Sequence, residues 1–349
     1  MKKFTPYIIV FICLIAGVSY FIYEYSPSTM EKKESEFAVR NIDDITKIRL
    51  TDLRGNEVIL TRKGKKWIVN GQYDVNDMSK DLLLTAIQKV EAQYRSPENS
   101  ERNVLKDMAR EHNKCEIYLN GEDKPSKVYI IGGSTADGKG TYMIMERNGQ
   151  MAAHSYVTYI PGMNAYLTTR YFPAVEGWRS IWIYRDNDQT IQSLMVEYNR
   201  EKQKSFEIRR VATDSFVIAN SDGQVLQQPK QKFIHQYLNF YGELPLEGFK
   251  NKDTLARDTI LPTEPFCTIS LKRTDKTETN VILYYIPVNE QTHVQFDDEG
   301  RKLLYDIEHY YLLFNDKKDF GLIQYYTWGK VLHNYDDFFS KPEAPAKPK

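Results

Sequence analysis

Seven residues from Gly133, Gly-Ser-Thr-Ala-Asp-Gly-Lys, match the opening of a phosphate-cradling loop, where glycine amides surround a phosphate and the lysine reaches its outer oxygens. That chemistry needs a hydroxyl at position 140 to hold magnesium, and Gly140 has none. It also needs a helix N-terminus next, whereas Thr141 to Glu146 alternates like a strand. The motif therefore predicts a hairpin connection. The six histidines, His112, His154, His235, His293, His309 and His333, lack the paired spacing that aims two imidazoles at one zinc, so no metal site is expected. His235 and His309 are read as polar-face or half-buried, satisfied side chains. Asp186-Asn187-Asp188 and Asp297-Asp298-Glu299 are short acidic turns without a twelve-residue calcium loop. There is no nucleophile elbow, and no cysteine has an evident basic niche with a histidine partner. Catalytic residues and cofactors are accordingly none in this reading, although a carboxylate-pair hydrolase would leave no linear motif.

The most specific-looking stretch runs from Tyr159 to Phe172, YIPGMNAYLTTRYF, read as a turn followed by a helix. Aromatic residues with arginine are the usual anchors of interaction surfaces, so Tyr166, Arg170, Tyr171 and, a little further on, Trp178 form the candidate binding set. The bland reading of the same stretch is a helix capping the open end of a sheet. The 25 tyrosines as a group have no single reading, because strands favour them.

The elements that would hold these residues follow from periodicity. ITKIRLTD, NEVILTR and KKWIVN, separated by tight turns from Ile45 onward, predict a three-stranded meander. Leu82, Leu83, Ala86, Ile87 and Val90 then follow a 3.6-residue repeat capped by Asn76 or Asp77, which predicts an amphipathic helix over 77–94. A shorter helix is expected from Val104 to His112, then strands at 115–119, 127–132 and 141–146. The second half repeats this order: SLMVEY, SFEIRR and SFVIAN, a helix over 232–241, then CTISL, NVILYYI and THVQF. Trp67 and Phe216, Ile87 and Tyr237, Cys115 and Cys267, and Trp178 and Trp328 recur at offsets of 149, 150, 152 and 150. The fold class expected is α+β: two tandem, duplicated modules of antiparallel sheet with a packed helix, over 41–185 and 190–340.

Residues 4–23 carry no charge, and a helix of that length crosses about 30 Å of hydrocarbon. Lys2 and Lys3 before it and Tyr20, Tyr23 and Tyr25 at its far end predict a retained single-pass anchor in the cytoplasmic (inner) membrane, with the bulk of the chain extracytoplasmic. Membrane lipid is thus the first expected partner. A polar linker over 24–40 and a tail of Pro, Ala, Lys and Glu over 341–349 complete the organisation. Three cysteines cannot staple such a chain; Cys115 and Cys267 either pair or serve as small buried hydrophobes. Equal counts of 47 basic and 47 acidic residues offer no field for nucleic acid.

The order from FAVRNIDDITKIRL through W-I-V-N at Trp67 to Asn70, then KVYIIGG, GTYMIMERN and YIPGMNAYLTTRYFPAVEGWRS, resembles the bacterial family known as domain of unknown function 4340. Its opening pattern is present as Ile45, Lys47, Ile48, Leu50, Val58, Leu60 and Arg62. The resemblance covers most of residues 37–185 and, more weakly, the second half. It implies a single-pass or signal-bearing envelope protein with an accessory role beside membrane transporter components, and it carries no catalytic residues. The function expected is thus a non-enzymatic binding or accessory module for an envelope or transporter complex. The alternative is a cell-wall or glycan-acting enzyme or solute receptor with a cleft between the modules.

Overall fold

The computed structural model describes residues 14–16, 34–225 and 229–339. The expected anchor over 4–23, apart from residues 14–16, and the tail over 341–349 lie outside them, as does most of the linker. Among the described residues no helix is long and apolar enough to cross a membrane. The chain divides into two units, Met1–Ser180 and Ile181–Lys349. Residues 181–185, expected to close the first module, belong to the second.

In the first unit β1 (Ile45–Asp52), β2 (Glu57–Lys63) and β3 (Lys66–Val69) form the predicted meander, extended by β4 (Tyr73–Asp74). Helix α1 (Asp77–Lys89) starts where the Asn76 side chain accepts from the amides of Met78 and Ser79. It stops short of residue 94, because Glu91–Arg95 pairs as strand β5. Helix α2 (Glu98–Arg110) precedes β6 (Asn113–Leu119), β7 (Lys127–Ser134), β8 (Thr141–Arg147), β9 (Gln150–Met151) and β10 (Tyr156–Tyr159), and the unit ends in the short α3 (Val175–Trp178). The sheet order is β4-β3-β2-β1-β6-β7-β8-β10-β5, with β9 on β8.

The second unit opens with β11 (Trp182–Tyr184). It continues through β12 (Ile191–Tyr198), β13 (Phe206–Ala212), β14 (Ser215–Asn220), α4 (Gln231–Asn239), β15 (Leu244–Pro245) and β16 (Gly248–Phe249). Helix α5 (Thr254–Ile260) precedes β17 (Cys267–Arg273), β18 (Glu278–Pro287), β19 (Tyr305–Phe314) and β20 (Asp319–Gln324), which runs straight into α6 (Tyr325–Trp328). Its main sheet is ordered β14-β13-β12-β17-β18-β19-β20-β16, and β11 pairs separately with β15. All strand pairings are antiparallel among the described residues, which places the chain in the α+β class. THVQF is not a strand of this sheet; the strand expected there is β19, further along, and residues 288–304 form the connection before it.

Each main sheet carries a helix on both faces; the sequence reading expected two helices in the first module but only one, over 232–241, in the second. Alternation of strand side chains makes this possible, since both faces of the central strands are apolar. In the first unit Leu83, Ala86 and Ile87 of α1 join Leu50, Ile117 and Tyr129 in one core, and Val104 and Met108 of α2 meet Ile130 and Ile144 on the opposite face. In the second, Ile234, Tyr237 and Leu238 of α4 pack on Leu194, Ile269 and Leu283, while Ile260 of α5 meets Tyr284, Leu313 and Phe320.

Candidate functional site

The expected binding set is split between surface and core. Tyr166 is exposed, but Tyr171 and Trp178 are fully buried. Trp178 stacks on Phe172 with ring centroids 4.6 Å apart and donates from Nε1 to the Phe172 carbonyl at 2.7 Å. The Tyr171 hydroxyl accepts from that of Tyr129 at 3.3 Å, and burial pushes its acidity well below that of a free tyrosine. Arg170 donates from Nη2 to the Met163 sulfur, and its buried Nη1 has no partner. In place of the expected helix there is a single short turn of 3-10 helix, Thr168–Arg170. The four residues therefore do not share one surface, and the stretch acts mainly as the cap of a sheet end.

The remaining sequence candidates resolve as structure. Gly133 to Lys139 is a hairpin connection between β7 and β8, in which Gly138 takes a φ of +70° and the Thr135 hydroxyl donates to Asp137. Cys115 and Cys267 are both free and buried, with burial pushing each thiol far up, so neither is a ready nucleophile. His235 is half-buried and lies 2.9 Å from Asp188, while His309 is half-buried between Asp306 and Glu247.

Sequence reasoning missed a groove in the second unit. Antiparallel pairing brings the C-terminal ends of β12, β18 and β20 beside the N-terminal ends of β17 and β19. At that sheet end lies a concavity of about 1100 Å³ whose lining includes Tyr198, Phe266, Tyr285, Tyr305, Tyr310 and Tyr325. Phe266, Tyr285 and Tyr305 form a stacked column, with centroids 4.1 and 4.7 Å apart. Tyr310 meets Tyr285 and Tyr325 edge-on. Burial first, and then neighbouring Tyr285 and Tyr325, push the Tyr310 hydroxyl up to about 12, so this ring is neutral over any ordinary pH. Arg200, Lys204 and Arg301 stand at the rim, held by Glu264, Glu201 and Asp297 respectively. Of its lining, Leu304, Ile307 and Tyr325 are exposed, and Tyr326, in the adjoining concavity that shares Ile307 and Tyr325, is 95% exposed. A cluster of exposed apolar side chains on a soluble surface costs solvation and marks an interaction site.

One linear signal for this groove exists. The sequence has Tyr-Tyr at 284–285, 310–311 and 325–326. Consecutive strand residues point to opposite faces, so each of the first two pairs places one ring in the groove and the other against α5. The register joins them, Tyr285 opposite Tyr310 and Tyr284 opposite Tyr311.

Compared with protein-family models, with curated proteins and with solved structures, the chain has no match. What the molecule itself defines is a class: an α+β protein of two antiparallel-sheet units, one of them with an aromatic groove at a sheet end.

Proposed function

We propose that this chain is a membrane-anchored, extracytoplasmic binding module without catalytic activity, whose second unit takes a segment of another envelope or transporter component into the aromatic groove. The single observation that carries this reading is the groove itself, with its wall of packed tyrosines and its exposed apolar side chains. Rings of this kind supply large contact area at small entropic cost, and they dominate protein–protein hot spots. The uncharged span over 4–23 supports the anchor and the location, as does the resemblance to the domain of unknown function 4340 family. The like strand orders β3-β2-β1-β6-β7-β8-β10-β5 and β14-β13-β12-β17-β18-β19-β20-β16 support descent of the two units from one duplicated module.

The test places a photo-crosslinking residue at Tyr326 in the full-length protein in its native membrane. One predominant protein adduct, lost when Tyr325→Ala and Leu304→Asp are combined, is the expected result. A second reading, a glycan ligand, is favoured by tyrosine rings that can stack on sugar faces, and it predicts saccharide adducts in place of protein. No adduct of either kind would remove the groove from the function.

A further inference from the structure

Where β18 meets β19 the register slips. Tyr285 opposes Tyr310 and Pro287 opposes Tyr305, so one residue of β18 faces four of β19. A bulge of this size releases residues 306–309 from strict alternation and re-aims their side chains. Asp306, Glu308 and His309 consequently converge, each offering one donor atom, with the three atoms within 4.8 Å of one another. Donors bound to one ion at about 2.0–2.2 Å stand at most about 4.4 Å apart, so small rotamer adjustments close the set.

The surroundings fit a metal better than they fit an isolated acidic cluster. The His309 ring is oriented from both sides: Nδ1 lies 3.1 Å from Asp306 Oδ2, and Nε2 lies 3.5 Å from Glu247 Oε2. A carboxylate on the outer nitrogen is the usual device for fixing a metal-bound imidazole and raising its basicity. His293, carried by the connection over 288–304, lies 3.2 Å from Glu308 on the exposed side of the cluster, outside the converging set of three. The Asp306 and His309 side chains are 11% and 27% exposed, which removes much of their competing water. Access remains, because Asp306 lines the groove while Glu308 and His309 line the adjoining concavity beside Tyr326.

From this convergence we infer that Asp306, Glu308 and His309 form a binding site for a divalent transition-metal ion, with Glu247 as the group orienting His309. A mixed nitrogen and oxygen set suits Zn²⁺, whereas Ca²⁺ and Mg²⁺ prefer oxygen alone. The site stands on its own residues and does not depend on what fills the groove.

The test is Zn²⁺ titration of the purified full-length protein in detergent, followed calorimetrically, with Co²⁺ absorption as a spectroscopic check on the ligands. The expected result is uptake of one equivalent that millimolar Mg²⁺ or Ca²⁺ does not displace, abolished in Asp306→Asn combined with His309→Gln. Glu247→Gln, at a more exposed position and able to keep the fold, should weaken binding about 10- to 100-fold. Absence of stoichiometric uptake would overturn the assignment, as would uptake that both variants leave unchanged. In that case the cluster is a polar contact set in which His309 meets Asp306 and Glu247 and no ion is held.

Discussion

The same end of the sheet is closed in the first unit and open in the second. Cys115 opposes Tyr129 on β7, and Cys267 opposes Leu283 on β18, which aligns the two sheets residue by residue. By that alignment the Ile131–Met143 pair corresponds to the Tyr285–Tyr310 pair. Ile131 and Met143 are fully buried, because residues 160–174 fold back over them. The Leu167 amide donates to the Thr141 hydroxyl at 2.6 Å, the Thr168 hydroxyl donates to the Gly132 carbonyl at 2.7 Å, and Tyr171 fills the remaining space. In the second unit β20 continues directly into α6, and Tyr285 and Tyr310 stay only partly buried on the groove wall. The extra chain lies instead between β18 and β19, over 288–304, where it builds the groove's mouth. The lesson is that insertion site governs access here: chain added after the last long strand covers the sheet end, and chain added in a hairpin leaves it accessible.

The sharpest way to break the correspondence is at the two tryptophans. Trp178 and Trp328 are both fully buried at the end of a four-residue helix, and both donate from Nε1 to a carbonyl, that of Phe172 at 2.7 Å and that of Pro245 at 2.8 Å. Either Trp→Ala change should cost about 3–5 kcal/mol in its own unit. Hydrogen exchange read separately over each sheet checks this, and a much smaller cost at one position would end the equivalence.

Exchanging residues at the closed and open ends should give unequal effects. Met143→Tyr forces a larger polar ring into a filled core and should destabilise the first unit by about 1–3 kcal/mol. Tyr310→Met, at the half-open position, should cost less than about 1.5 kcal/mol while abolishing the groove-dependent crosslink. Chemical denaturation of both variants measures the difference, and equal costs would mean that the groove is packed shut in solution.

A smaller contrast lies at the helix starts. Asn76 caps α1 with its side chain, whereas Lys230 before α4 makes no such bond. Asn76→Ala should cost about 1 kcal/mol and Lys230→Ala close to nothing, as thermal unfolding of each variant would report. Smallest is an alkaline effect. The Tyr310 hydroxyl, raised in the fold to about 12 against an ordinary value of 10.0, stays protonated where an unfolded chain would ionise. The folded state then holds the extra proton, so this contribution to stability is complete below about pH 10 and is lost as pH rises toward 12. Ultraviolet titration of tyrosinate should show a late-ionising ring that disappears in Tyr310→Phe.

Local pattern accounts for much of this architecture. The meander, α1 with its Asn76 cap and the hairpin at Gly133 to Lys139 were legible because each depends on neighbours in the chain, through alternation, the 3.6-residue repeat or turn chemistry. The uncharged run over 4–23 is a signal of the same local kind, since bilayer thickness sets a length, but apart from residues 14–16 it lies outside the described residues. Periodicity placed THVQF in the sheet, because a short apolar alternation reads alike in a strand and in a folded connection. The tertiary structure alone decided that Tyr171 and Trp178 belong to the core, and that Tyr285, Tyr305, Tyr310 and Tyr325, spread over some forty residues of sequence, stand on one wall. It alone also set the slipped register that gathers Asp306, Glu308 and His309. Strand partners and their register are long-range choices fixed by which cores close, and no local window of the sequence contains them.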